Sequence, residues 1–326
     1  LSKKAYEFKE NRLITSLLLN RNITTKKEVD KFLNSNKEDF HDPFLFEDMN
    51  KVVDRILKAK EKNEKITIYG DYDVDGISAT AYLVIVLRKL GIRVDYYTPS
   101  RSHEGTAITS KMIEVLQKRG TKLFITVDTS IATREEVLML KKIGLDIIIT
   151  DHHHKNEKIK EFNIPTINPK TSDNYPNKNL AGVGVAFKVA CAVYQKAGIS
   201  EKILFDYLDI VMIGTVADVV PMIDENRIII KKGLANLQKS KVKGMRYILN
   251  YLKINSKNIT TNEIGFYIAP IFNALGRIDK SRTVVEFFIQ EDDYRLFSII
   301  EDMKKANKVR RYLEMEIYNE IEEKIQ

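Results

Sequence analysis

The spacing of apolar positions changes partway along the chain. Up to about residue 62 it is helical and rich in charge, with a break from Asn20 to Thr25. Thr24-Thr25-Lys26-Lys27-Glu28 reads as a capping box opening a helix that runs through Phe32. His41-Asp42-Pro43 reads as a turn, and helical spacing resumes at Met49, Val52, Val53, Ile56 and Leu57. From Ile66 onward, short β-branched runs alternate with helical stretches. Strands are expected at 66–70, 92–97, 123–127 and 146–150, with a short piece at 164–168. Helices are expected at 77–90, 109–119 and 133–143. Strands that are apolar throughout, rather than alternating, are buried on both faces, which is the habit of parallel sheets. The repeated βα unit therefore predicts an α/β fold, a doubly wound parallel sheet with right-handed crossovers.

Beyond a polar loop at 168–179 the period stays helical. Helices are expected at 181–198 and 201–219, with Gly182 and Gly184 allowing close backbone approach at the first one's start. Residues 225–290 read as helical with short extended pieces. Residues 292–325 read as one long helix, with Ile299, Met303, Ala306, Leu313, Ile317 and Ile321 on one face.

The chain has 326 residues, more than one ordinary core holds, so two domains are expected. An apolar fraction of 44% and a charged fraction of 30% describe a soluble globular protein, and no apolar stretch is long enough to span a bilayer. The single Cys191 excludes an internal disulfide and a multi-cysteine zinc site. The cytosol is the expected compartment. The net charge of +8 favours polyanionic partners such as nucleic acid, although Lys-rich surfaces are also common without one. Lys304, Lys305, Lys308, Arg310 and Arg311 read most simply as a solvated helix face, the alternative being a path for a DNA backbone.

The chemistry is concentrated where three expected strands end. Asp71-Tyr72-Asp73-Val74-Asp75-Gly76, Asp128 and Asp151-His152-His153-His154 each follow an apolar run directly. In an open α/β sheet the ligand crevice lies beyond the carboxyl ends of the strands, so these acids and imidazoles share one edge. That many carboxylates together repel one another unless cations neutralise them. An EF-hand is excluded, because the twelfth position counted from Asp71 is Leu83 where calcium needs a glutamate. A mixed carboxylate and imidazole set points to manganese, with magnesium as substitute. Asp151 is placed to hold a histidine ring through its other nitrogen. His154 extends the run and needs no role. Asp218 is the single acid in the apolar stretch Gly214-Thr215-Val216-Ala217-Asp218-Val219-Val220-Pro221 and requires a cation or several donors. The plainer readings are an Asp-rich surface turn, a helix cap at Asp128 and a salt-bridged core acid at Asp218.

In this order, the residues resemble the DHH phosphoesterase superfamily and, more narrowly, the RecJ single-strand-specific exonucleases. Gly70 to Gly76, Val127-Asp128 and Asp151-His152-His153 look like three motifs of that family. Leu180-Ala181-Gly182-Val183-Gly184-Val185-Ala186-Phe187-Lys188 and Gly214 to Pro221 are similar to stretches typical of RecJ. So are His41-Asp42-Pro43-Phe44, Glu225-Asn226-Arg227 and Asn273-Ala274-Leu275-Gly276-Arg277. The resemblance implies a site of two manganese or magnesium ions on Asp73, Asp75, Asp128, His152, His153 and Asp218. Asp128 is the implied bridge, with Asp71 and Asp151 supporting. It places Arg101, Arg277 and Asn273 near nucleic-acid phosphates. The implied activity is 5′-to-3′ hydrolysis of single-stranded DNA to mononucleotides in recombination and repair.

Four segments are expected on that basis: a helical 1–62, a DHH domain at 63–222, a helical subdomain at 223–291 and a connecting helix at 292–326. The sequence opens on Leu1 rather than Met, and its last helix is expected to lead to a DHHA1-type domain that it lacks. Expected partners are single-stranded DNA and a single-strand-binding protein or helicase, with no membrane and a monomeric state. The chain also departs from the family pattern. Glu104-Gly105-Thr106-Ala107 stands for Glu-Gly-Tyr-Gly, Thr129-Ser130 for a pair ending in glycine, Ile271 for arginine, and Leu275 for a small residue. His154 stands where an acidic residue is common. Two alternatives stay open: a nuclease-dead DNA-binding scaffold, the reading that the altered loops at 104–107 and 128–131 favour, and another phosphodiesterase of the superfamily acting on short oligonucleotides, which would lack the 180–188 and 214–221 stretches found here.

Overall fold

A computed structural model describes residues 11–100, 105, 107–154, 156–255, 257–276 and 280–325. Five parallel strands form one sheet in the order β2-β1-β3-β4-β5. They are β1 (Lys65–Gly70), β2 (Val94–Tyr97), β3 (Thr121–Val127), β4 (Asp146–Thr150) and β5 (Thr166–Ile167). Before the sheet come α1 (Arg12–Leu19), α2 (Lys26–Asn34) and α3 (Met49–Glu61). The Thr25–Glu28 capping box is formed in both directions, which fixes where α2 starts. Between the strands run α4 (Val74–Lys89), α5 (Ser110–Arg119) and α6 (Arg134–Lys142).

The strands alternate two apolar sets. Ile66, Ile68, Leu123, Ile125 and Ile148 pack with α3, α4 and the later helix α7 (Gly182–Lys196) in the main core. Tyr69, Phe124, Ile147 and Ile149 face the other way and pack against α5 and α6 in a smaller core. Side chains alternate along a strand, so one run of apolar residues feeds both layers. The crossovers bring every strand's carboxyl end to the same edge.

The expected helix at 201–219 is two pieces, α8 (Lys202–Asp206) and α9 (Leu208–Ala217), with Tyr207 outside helical geometry between them. No strand occurs among the described residues of 225–290, where short extended pieces were expected; helices fill it. They are α10 (Asp224–Leu237), α11 (Lys243–Tyr251), α12 (Thr261–Glu263), α13 (Ala269–Gly276) and α14 (Ser281–Ile289). Between α12 and α13, Ile264–Ile268 forms a π-helical turn. Their apolar faces join the main core without interruption.

The last helix, α15 (Asp293–Ile325), buries Leu296, Ile299, Ile300, Met303 and Ala306. The apolar stripe continues through Leu313, Ile317 and Ile321, but these are half exposed. No helix among the described residues is long and apolar enough to cross a membrane.

Candidate metal centre

The site is assembled from the loops at the sheet's carboxyl edge plus one helix end. After β1 the chain turns through Asp71-Tyr72 into α4. Asp73 is that helix's N-cap, accepting the Gly76 N–H at 3.0 Å. Asp71 accepts the Tyr72 N–H at 2.6 Å. The turn and helix start bring Asp71 and Asp73 to Asp128, and Asp75 to His152 and Asp218.

Asp75 is buried, and both its oxygens face the first turn of α7. Gly182 N–H donates to Oδ2 at 2.6 Å and Val183 N–H to Oδ1 at 2.9 Å. Unpaired amides at a helix N-terminus favour a carboxylate there. This accounts for part of the glycine-rich stretch at 180–188. A Cβ on Gly182 would lie 2.3 Å from Asp128 Oδ1, so only glycine lets the helix come this close. Gly184 has a different neighbour, the Leu180 side chain, and touches no site residue closely.

Asp128 leaves β3 with φ +57°, a left-handed conformation that Asp tolerates better than most residues. Asp151 and His152, after β4, are buried. Asp151 Oδ1 accepts the backbone N–H of His152 at 2.8 Å and lies 2.8 Å from His153 Nδ1. It therefore orients the second imidazole and leaves that ring's other nitrogen unclaimed. Asn168, buried after β5, donates to the His153 carbonyl at 2.9 Å. Asp218 caps the C-terminus of α9 and enters from the helical layer.

One ligating atom from each member of three overlapping groups lies within 4.8 Å of the others: Asp71, Asp73 and Asp128; Asp128, His152 and His153; Asp75, His152 and Asp218. His152 Nε2 is 3.1 Å from Asp128 Oδ1, 3.6 Å from Asp218 Oδ2 and 3.8 Å from Asp75 Oδ2. Even so, Asp128 Oδ1, His152 Nε2 and Asp218 Oδ2 are buried without a properly aligned hydrogen bond. Buried polar atoms are nearly always satisfied, so three converging exceptions call for a ligand.

The electrostatics agree. Burial, then Asp218 and Asp73, pushes the Asp75 carboxyl well above the usual range; burial, then Asp75 and Asp73, does the same to Asp128. Burial first, then Asp73, raises Asp218 to about 6. Burial lowers His152 to about 4, so its ring is neutral at pH 7 with a lone pair available. The hydrogen bond to Asp151 raises His153. A dense set of ionised carboxylates is unfavourable here unless a cation joins it, and the oxygen and nitrogen donors suit a divalent ion.

The other expected site residues have different surroundings. Arg101 and Arg277 lie outside the described residues, as do Glu104 and Thr106 of the altered loop. Asn273 is not in the ligating groups; it lines a groove between α13 and α15 with Lys305 and Arg310. One turn later, a Cβ on Gly276 would lie 2.5 Å from the Tyr72 carbonyl, so α13 ends against the Asp71–Asp75 turn. Ile271 and Leu275, at positions that depart from the family pattern, are buried in the main core. His154 is exposed and outside the groups.

Two contributors had not been singled out. Asn168 is one. Lys170 is the other: it is close enough to lower the proton affinity of His152, His153 and Asp218. Both directly follow β5, at the same sheet edge, and that position was the available signal.

Residues 65–215 match the DHH family, N-terminal domain. The single-stranded-DNA-specific exonuclease RecJ of Bacillus subtilis (strain 168) is 36% identical over 315 residues, covering 96% of this chain and 39% of that protein. The RecJ of Haemophilus influenzae is 32% identical over 312 residues, covering 93% of this chain and 53% of that protein. This chain thus spans about half the length, or less, of these relatives. Among solved structures, exonuclease RecJ bound to manganese superposes with a TM-score of 0.76 at 27% identity, over 84% of this chain and 69% of the other. RecJ from Thermus thermophilus in complex with Mn2+ has a TM-score of 0.77 at 24% identity, over 95% of this chain and 44% of the other, and so shares the fold. Its sheet order, its acid-rich strand ends and these relatives agree: residues 65–215 carry a DHH-family N-terminal domain, and the chain resembles the RecJ proteins over most of its length.

Proposed function

We propose that this chain is the catalytic part of a divalent-metal-dependent exonuclease that hydrolyses single-stranded DNA. The observation that carries the reading is the convergence of Asp128 Oδ1, His152 Nε2 and Asp218 Oδ2, all buried and all without an aligned partner. Asp73, Asp75, Asp128, His152, His153 and Asp218 would hold manganese or magnesium, two ions in this reading, with Asp128 shared between them. Such ions stabilise charge on a phosphoryl oxygen and make a bound water acidic enough to attack near neutral pH.

The chain's own residues prepare that site. The α7 amides fix the Asp75 carboxylate, and Asp151 fixes the His153 ring. Neutral His152 presents its lone pair. Lys170 would attract the substrate phosphate, with Arg101, Arg277 and Asn273 positioning the strand farther along. Residues 63–222 would form the catalytic domain, residues 223–291 would complete its core, and 1–62 and 292–326 would be flanking helical segments. Cleavage from the 5′ end to mononucleotides, a role in recombination and repair, a monomeric cytosolic state and cooperation with a single-strand-binding protein or helicase rest on the resemblance to RecJ.

Labelled single-stranded and duplex oligonucleotides, incubated with Mn2+, Mg2+ or EDTA and resolved on a gel, test the reading. Release of mononucleotides from single strands, dependent on metal, is the expected result. Asp128→Ala should lower it more than about 100-fold. Cleavage that survives either EDTA or Asp128→Ala would refute the site.

A further inference from the structure

Three stretches outside the metal centre meet at one buried point. Glu225, fully buried at the start of α10, accepts from Lys188 Nζ at 2.9 Å and from the His41 N–H at 3.1 Å through Oε1. Its Oε2 accepts from the Tyr175 hydroxyl at 2.6 Å and from Asn177 Nδ2 at 3.5 Å. Lys188 belongs to α7, the helix whose first amides hold Asp75, and it is as buried as its partner.

The next residue, Asn226, is also fully buried. Its side-chain amide donates to the Asn179 carbonyl at 2.6 Å and to the Pro221 carbonyl at 3.0 Å. Asn179 stands three residues before Gly182, a donor to Asp75. Pro221 stands three residues after Asp218. One amide therefore ties together the two backbone segments that flank the metal centre.

The segment after Asp218 would not hold its shape unaided. Val219 has φ +60° and Asp224 φ +47°. A left-handed conformation is strongly disfavoured for a β-branched residue, and such strain persists only where the surroundings over-determine it. Val219 is 82% exposed, so its own packing does not impose that angle. The anchors at Pro221 and Glu225 lie just downstream of it.

We propose that Glu225 and Asn226 are positioning residues of the metal centre, setting the spacing of Asp75 and Asp218 through the two loops they join. The inference rests on the metal-dependent reading above. A buried Lys–Glu pair gains little stability over an apolar pair of the same volume, so geometric definition is the more economical account of its presence.

Mn2+ titration by calorimetry, alongside melting temperature, tests this in the full chain. Asn226→Ala should weaken Mn2+ binding on the order of 10-fold. Its residual single-strand cleavage should be largely restored by raising Mn2+. Tyr194→Phe removes a buried 2.8 Å bond to the Val86 carbonyl at the opposite end of α7 and serves as the control for general destabilisation. It should leave Mn2+ affinity unchanged. Tyr175→Phe deletes one bond to Glu225 with little change of shape and should weaken Mn2+ binding roughly 3-fold; it carries the test should Asn226→Ala fail to fold. Unchanged affinity in the folded loop variants, or equal loss in Tyr194→Phe, would overturn the inference alone. If the unaltered chain bound no Mn2+, the metal reading would fall and this inference with it.

Discussion

Two polar clusters meet helix α7, one at its first turn and one at Lys188, and they are built in opposite ways. Around Glu225, each charge has a partner: Lys188 answers the carboxylate, and Tyr175, Asn177 and the His41 amide occupy the remaining lone pairs. At the sheet edge, Asp71, Asp73, Asp75, Asp128, Asp151 and Asp218 outnumber the basic groups beside them, and three buried atoms lack an aligned partner. A buried network that is fully satisfied fixes a shape. One that carries a surplus of charge and open lone pairs has room for an ion. The difference lies in neutrality, because both clusters contain fully buried charged side chains, Asp75 and Asp128 in one and Glu225 and Lys188 in the other.

Charge deletion should separate the clusters most sharply. Lys188→Met leaves Glu225 buried and unpaired, and should destabilise the chain by about 3–5 kcal/mol in denaturant titration. Asp128→Asn removes one repelling charge, and should raise the melting temperature of the metal-free chain. If both variants lost stability alike, the contrast would be wrong.

Acidity should act next. With folded-state values raised above the unfolded ones, Asp75, Asp128 and Asp218 bind protons more readily in the native chain. Stability then falls as pH rises from about 4 through the Asp218 value of about 6. His152, lowered to about 4, acts in the reverse sense over the range up to its unfolded value, but it is one group against three in the centre, and Asp209, raised to about 6 by burial outside it, adds to the fall. The melting temperature in EDTA should therefore drop between about pH 4.5 and 7, and saturating Mn2+ should shrink the drop to the share contributed by Asp209. A flat profile in EDTA would mean that burial and mutual repulsion do not raise these carboxyls as described.

The smallest effect expected is at Lys170. Lys170→Ala should raise KM for single-stranded DNA by roughly 3- to 10-fold and reduce the slope of log affinity against log salt by about 0.7. An unchanged salt slope would remove Lys170 from the substrate path.

Much of this was legible in the residues alone. Continuous apolar runs ending in Asp71-Tyr72-Asp73, Asp128 and Asp151-His152-His153 located the strands and put the acids at one edge, because strand period and crossover handedness leave few other arrangements. Other features depend on contacts distant in sequence. Nothing local to Asp75 reveals that Gly182 and Val183 donate to it, over a hundred residues away. The break at Tyr207 was invisible because the helical spacing of buried apolar positions, Leu204, Leu208 and Val211, carries across it. The stripe on α15 is continuous in sequence, yet among the described residues it is buried only in its first part, through Ala306.

By itself, then, the sequence determined which residues form strands and which chemical groups stand at their ends, since both follow from local period and residue type. The tertiary structure alone decided which groups are satisfied. His41, Tyr175, Lys188 and Glu225 become a neutral knot, and Asp75, Asp128, His152 and Asp218 an unbalanced one, because hydrogen-bond partners and desolvation are set by packing between segments far apart in the chain.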